Sequence, residues 1–178
     1  MRNFRHHPLA AIALLSSFAL PASAETPAPA PAKPTTDIND ADALRGVRTG
    51  KGVFLLSLAE PEKMSRYLRL ILESSHRGMT QQNVKPDFVL VFIGPGVRFL
   101  GTQPDKGLVE KHDKALKEIA ESVRKLKAAG VKLEVCSVAN EVYGVANDQV
   151  LPEVKVVRDG FVSVIGYQAK GYALVPVF

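Results

Sequence analysis

Two nearly uninterrupted apolar runs, Val53 to Leu58 and Phe88 to Ile93, constrain this chain more than any other feature. Neither alternates with polar residues, so a strand built from either must be covered on both faces. Each run is followed by residues with helical spacing. After the first, Pro61 and Glu62 suit a helix's first turn, and Met64, Tyr67, Leu68, Ile71 and Leu72 recur at i, i+3 and i+4, with Gly78 expected to end the helix. After the second, a long helix is expected from Lys106 to Ala129, with Leu116, Ile119, Val123 and Leu126 on its buried stripe and Gly130 as its stop. Val131 to Cys136 reads as a third strand, Ser137 to Tyr143 as a short helical stretch, and Val154 to Val157 as a fourth strand. Arg158-Asp159-Gly160 then turns into a helix reaching about Lys170, and Tyr172 to Val177 closes the pattern as a fifth strand. Alternation of this kind predicts an α/β protein, a three-layer α/β/α sandwich on a mostly parallel five-stranded sheet, over residues 51–178.

Ahead of that domain the chain carries a different grammar. Arg2 and Arg5 precede an apolar run from Leu9 to Leu20, and Ala22-Ser23-Ala24 follows as an Ala-x-Ala cleavage site. Residues 1–24 are thus read as a secretory signal peptide, cleaved after Ala24. The run is too short for a spanning helix, which needs about 20 residues, so no stable membrane insertion is expected after cleavage. No cysteine sits just after the cleavage point to accept a lipid. The expected location is the periplasm. Residues 25–50 read as a Pro/Ala-rich linker and polar lead-in, extended where Pro27, Pro29 and Pro31 fix the backbone, with a short helical turn near Asp40 to Arg45.

Cleavage lowers the formal charge from +5 to +3, since Arg2 and Arg5 leave with the signal peptide. The remaining lysines mostly alternate with glutamates along one helix instead of gathering on a face with aromatics. Nucleic-acid binding is therefore not expected.

Ligands of an open parallel sheet bind beyond the carboxyl ends of its strands. The segments there are Leu58 to Glu60, Gly94-Pro95-Gly96-Val97, and Cys136-Ser137. Cys136 is the sole cysteine, so no internal disulfide can form. A thiol that ends a strand and begins a helix is placed for thiolate chemistry. The same position equally suits a small apolar filler, or a thiol that pairs with a second copy. Gly94 to Val97 lacks the full Gly-x-Gly-x-x-Gly spacing, and neither a phosphate-binding Gly-Lys-Ser/Thr loop nor a Gly-x-Ser-x-Gly elbow occurs, so no cofactor is expected. His76 and His112 stand singly, without metal-ligand spacing, and Glu141, Asp148 and Glu153 form no recognisable carboxylate pair.

Three segments together resemble the DsrE/DsrF-like family from about Gly52 onward. They are Val91 to Val97 with Leu100, Leu126 to Val131 leading to Cys136, and Gly160 with Gln168 to Ala173. The resemblance implies a three-layer fold that assembles into trimers or hexamers, with the strand-end cysteine carrying sulfur as a persulfide between a donor and an acceptor protein. On it, Cys136 is the expected catalytic thiol, with Gly94, Pro95, Gly96, Val97 and Ser137 shaping a ligand pocket. The alternative is a non-catalytic oligomeric binding or assembly module with a structural cysteine.

Overall fold

A computed structural model of the chain describes residues 38–178. The predicted signal peptide, and the linker as far as residue 37, lie outside the described residues. Within the unit spanning Asn39–Phe178, five strands pair in the order β4-β3-β2-β1-β5. They are β1 (Thr49–Leu56), β2 (Lys85–Phe92), β3 (Lys132–Cys136), β4 (Lys155–Val157) and β5 (Ala173–Val177). Every pairing is parallel, so the expected mostly parallel sheet is wholly so. The helices are α1 (Ala41–Leu44), α2 (Pro61–Leu70), α3 (Arg77–Gln81), α4 (Lys106–Ala128), α5 (Ser137–Val142) and α6 (Gly160–Ala169).

From β1 the chain steps outward through β2 and β3 to β4, then crosses back over the sheet to lay β5 on the far side of β1. The outward steps stack α2 and α4 on one face, and the return puts α6 alone on the other. Side-chain alternation shows this directly. Phe54, Leu56, Phe88, Leu90, Phe92, Leu133 and Val135 point into the larger core with Met64 and Leu68 of α2 and Ile119, Val123 and Leu126 of α4. Val53, Val89 and Val91 point the other way, against Val164 of α6. The carboxyl-terminal parts of β1 and β2, Val53 to Leu56 and Phe88 to Phe92, are apolar because both of their faces are covered there.

The helix expected to stop at Gly78 continues beyond it. A π-helical stretch, Ile71–His76, joins α2 to α3, and the last turn ends after Gln81. The reversal falls at Asn83, whose φ of 59° is the left-handed conformation that asparagine tolerates better than most side chains. Gly78 weakens the helix by about 1 kcal/mol relative to alanine, and the helix continues past it with the partly buried Leu72 and Met79 packed against the core on either side.

Candidate functional site

The carboxyl ends of β2 and β3 lie side by side, because Phe92 pairs with Val135. Ile93 and Cys136 are thereby neighbours at the sheet's rim, beneath the first residue of α6. The close fit depends on Gly160: a Cβ there would lie 2.6 Å from Ile93 Cγ2, 3.1 Å from Cys136 Cβ and 3.3 Å from Val91 Cγ1. Asp159 holds this helix start in place, its carboxylate accepting from the backbone N–H groups of Phe161 (2.8 Å) and Val162 (3.4 Å).

Cys136 is only 5% exposed and belongs to the main core cluster. It is the N-cap residue of α5, yet its thiol makes no capping hydrogen bond to the first-turn amides. Ser137, next along, turns away into a polar chain of its own: Asn147 Nδ2 donates to Ser137 Oγ at 3.1 Å, and Asn140 Nδ2 donates to Asn147 Oδ1 at 2.9 Å. Those bonds tie α5 to the turn at Asn147–Gln149.

The Gly94 to Val97 segment forms a 3-10 turn packed against the exit of β1. Gly94 has a φ of +61°, and a Cβ there would meet Ser57 Oγ at 2.6 Å; at Gly96 it would meet the Leu58 carbonyl oxygen at 2.7 Å. Both glycines thus serve close backbone approach. Val97 is fully buried, and the Pro95 carbonyl accepts from Arg98 Nε at 3.2 Å. Of the expected site residues, the structure brings Cys136 together with the start of the Gly94 loop, through Ile93, and directs Ser137 elsewhere. His112 Nδ1 sits 2.7 Å from Glu62 Oε1, and His76 packs edge-on to Phe88.

A polar seam along the underside of α6 is not foreseen by the sequence reading. Glu134 of β3, 7% exposed, accepts hydrogen bonds from Ser163 Oγ and from Tyr167 OH, the latter at 2.9 Å. Burial first, then the bond to Glu134 and its negative charge, pushes the Tyr167 phenol up to about 12. Further along, Asp87 accepts from Lys132 Nζ and Tyr172 OH, each at 2.7 Å. Burial raises the Asp87 carboxyl, but the hydrogen bonds from Lys132 and Tyr172 and the charges of Lys132 and Lys51 outweigh it and hold the group below its ordinary 3.8. The bond to Asp87 correspondingly raises Lys132. The available signal is an acid at position 134 within Val-Lys-Leu-Glu-Val-Cys, a strand otherwise covered on both faces.

Beside this seam a cleft of about 460 Å³ opens between α6 and β4. Its lining does not include Cys136, and neither do those of four smaller hollows on the described surface.

A family model described as the DsrE/DsrF-like family matches residues 50–177. No curated protein matches. Among solved structures, the ychN protein from E. coli aligns with a TM-score of 0.53 at 18% identity, covering 72% of this chain and 99% of that one. A protein of unknown function, MTH1491, from Methanobacterium thermoautotrophicum aligns with a TM-score of 0.52 at 21% identity, covering 73% and 98%. At such identities the likeness is one of fold.

Proposed function

Since the chain belongs to the DsrE/DsrF-like family, we propose that it works as an exported, homo-oligomeric binding and assembly module in which Cys136 is a packing residue. The observation that carries this reading is the outer surface of α6. Phe161, Val162 and Ile165 are 59%, 65% and 64% exposed, while Val164 on the opposite side is buried. A helix apolar all round is ordinarily covered all round, and contiguous exposed apolar surface marks an interaction site. Leu174 and Phe178 of the adjoining edge strand and C-terminus are exposed as well. A second copy of the chain is the natural cover, since a closed ring of identical subunits buries the same patch on each. Size-exclusion chromatography with light scattering on the mature protein tests this. A trimer or hexamer is expected, and a monomer at micromolar concentration contradicts it. Sequencing the N-terminus of protein recovered from the periplasm tests export, with Glu25 the expected first residue.

The second reading makes Cys136 a persulfide carrier, supported by its place at a parallel strand's carboxyl end, the position the family resemblance assigns to the sulfur carrier. The Cys136 thiolate attacks the outer sulfur of a donor persulfide; the new S–S bond forms on Sγ, the donor's S–S bond breaks, and the donor leaves as a thiolate. At 5% exposure, the packing around the thiol must open before a donor can reach it. Intact mass after incubation with a sulfane-sulfur donor decides: added sulfur on the wild type but not on Cys136→Ser establishes this reading, and no added sulfur ends it.

A further inference from the structure

The cleft beside α6 is electrostatically unfinished on two sides. Parallel register sets Glu134 opposite Lys155 on β4, and both line the cleft. No ion pair joins them, however, or joins Glu134 to any other cation among the described residues. Its partners are two hydroxyls, Ser163 and Tyr167, whereas a carboxylate offers about four acceptor sites. A buried carboxylate with neutral partners alone is costly and is ordinarily matched by a cation. The cleft's other wall has the converse deficit. Lys155, Arg158 and Lys170 also line it, and no carboxylate pairs with them among the described residues. Asp159, the second acid of the lining, caps α6 through Oδ1.

A glycine faces this space. Gly166 lies in the interior of α6 and lines the cleft, and a Cβ built on it meets nothing within 4 Å. Helix interiors disfavour glycine by about 1 kcal/mol relative to alanine, and here its effect is to leave the cleft open. A volume of about 460 Å³ falls within the range of small-molecule sites, roughly 300–1,000 Å³.

We propose that this cleft binds a small amphoteric molecule of the free amino-acid class, its amine on Glu134 and its acid groups on Arg158, Lys155 and Lys170. A plain anion would satisfy the cations but meet repulsion from Glu134. A plain amine would satisfy Glu134 and leave the cations unmatched. An amino acid closes both with charge-assisted bonds, and Arg158 can grip a carboxylate through two parallel N–H groups.

Saturation-transfer difference NMR on the mature protein tests the proposal with L-glutamate as probe, chosen because it carries one amine and two acids. Glutarate, which lacks the amine, and n-butylamine, which lacks the acids, are the comparison ligands. Saturable L-glutamate binding is expected in the millimolar range or tighter, with both comparison ligands weaker by about tenfold or more, as for loss of a charge-assisted hydrogen bond. Gly166→Leu, which puts a good helix former in the empty space, should abolish binding while the far-ultraviolet circular dichroism stays unchanged. Arg158→Ala should weaken it by about tenfold. Absence of saturable L-glutamate binding, equal binding of glutarate, or binding that survives both substitutions overturns the proposal.

Discussion

Gly160 has no side chain where Cys136 comes closest to it, and a Cβ at 160 would stand 3.1 Å from the Cys136 Cβ. The start of α6 therefore packs against the carboxyl end of β3, beside a cysteine that is 5% exposed and lies in the main core cluster. This packing links the fold to the functional reading, because a side chain only 5% exposed is reached only when the packing around it opens.

Gly160→Ala is accordingly expected to destabilise the protein by about 1–3 kcal/mol, the usual cost of overpacking, since Ile93 Cγ2 at 2.6 Å must also give way. In urea unfolding the midpoint should fall with the slope unchanged. A midpoint equal to wild type would show that the helix start is not packed as described.

Tyr167→Phe removes one of two hydrogen bonds to the buried Glu134 carboxylate, and a loss of about 1–3 kcal/mol is expected. It should also reshape the alkaline limb of stability. The folded protein holds the Tyr167 proton up to about pH 12, against an ordinary value of 10.0, so this contribution is complete below pH 10 and fades as pH rises toward 12. The variant should lose less stability across that window. Some slope should persist, because Tyr172 and Lys132 are raised too. Denaturation midpoints measured every half unit check this.

Asp87 acts on the acid side. Its carboxyl is held below 3.8, so its contribution is present above pH 3.8 and is lost as pH falls through the lower folded value. Asp87→Asn should lower stability at neutral pH and flatten the decline below pH 3.8. An unchanged acid limb would mean that the bonds to Lys132 and Tyr172 do not hold in solution.

Ile165→Glu places a charge on the outer face of α6, where the side chain is 64% exposed. The subunit's own stability should change by less than about 0.5 kcal/mol, as for surface substitutions, while the oligomer dissociates in light scattering. An assembly unchanged in mass would place the subunit contact elsewhere.

The strands of this protein were legible wherever both faces are covered, since Val53 to Leu56 and Phe88 to Phe92 admit no other environment. The buried stripe of α4 was equally plain, because Leu116, Ile119, Val123 and Leu126 repeat at helical spacing. The stop at Gly78 misled, because local propensity of about 1 kcal/mol is outweighed by the packing on either side of it. The burial of Cys136 could not be read from its position, since strand-end cysteines suit a reactive and a packing role alike, and the residues packed beside it include Gly160, 24 residues later in the chain. The role of Glu134 is hidden in the sequence for a related reason. Its partners, Ser163 and Tyr167, come from a helix that reaches β3 only through the return crossover, a contact no local pattern records.

The rate at which a thiol reagent labels Cys136 in the assembled mature protein, compared with the rate in denaturant, tests the enclosure most directly. The expected result is labelling limited by opening of the α6 start, slow in native buffer, complete once unfolded, and faster in Gly160→Ala. Rapid stoichiometric labelling of the native wild type would contradict it and return the sulfur atom to the surface as a working nucleophile.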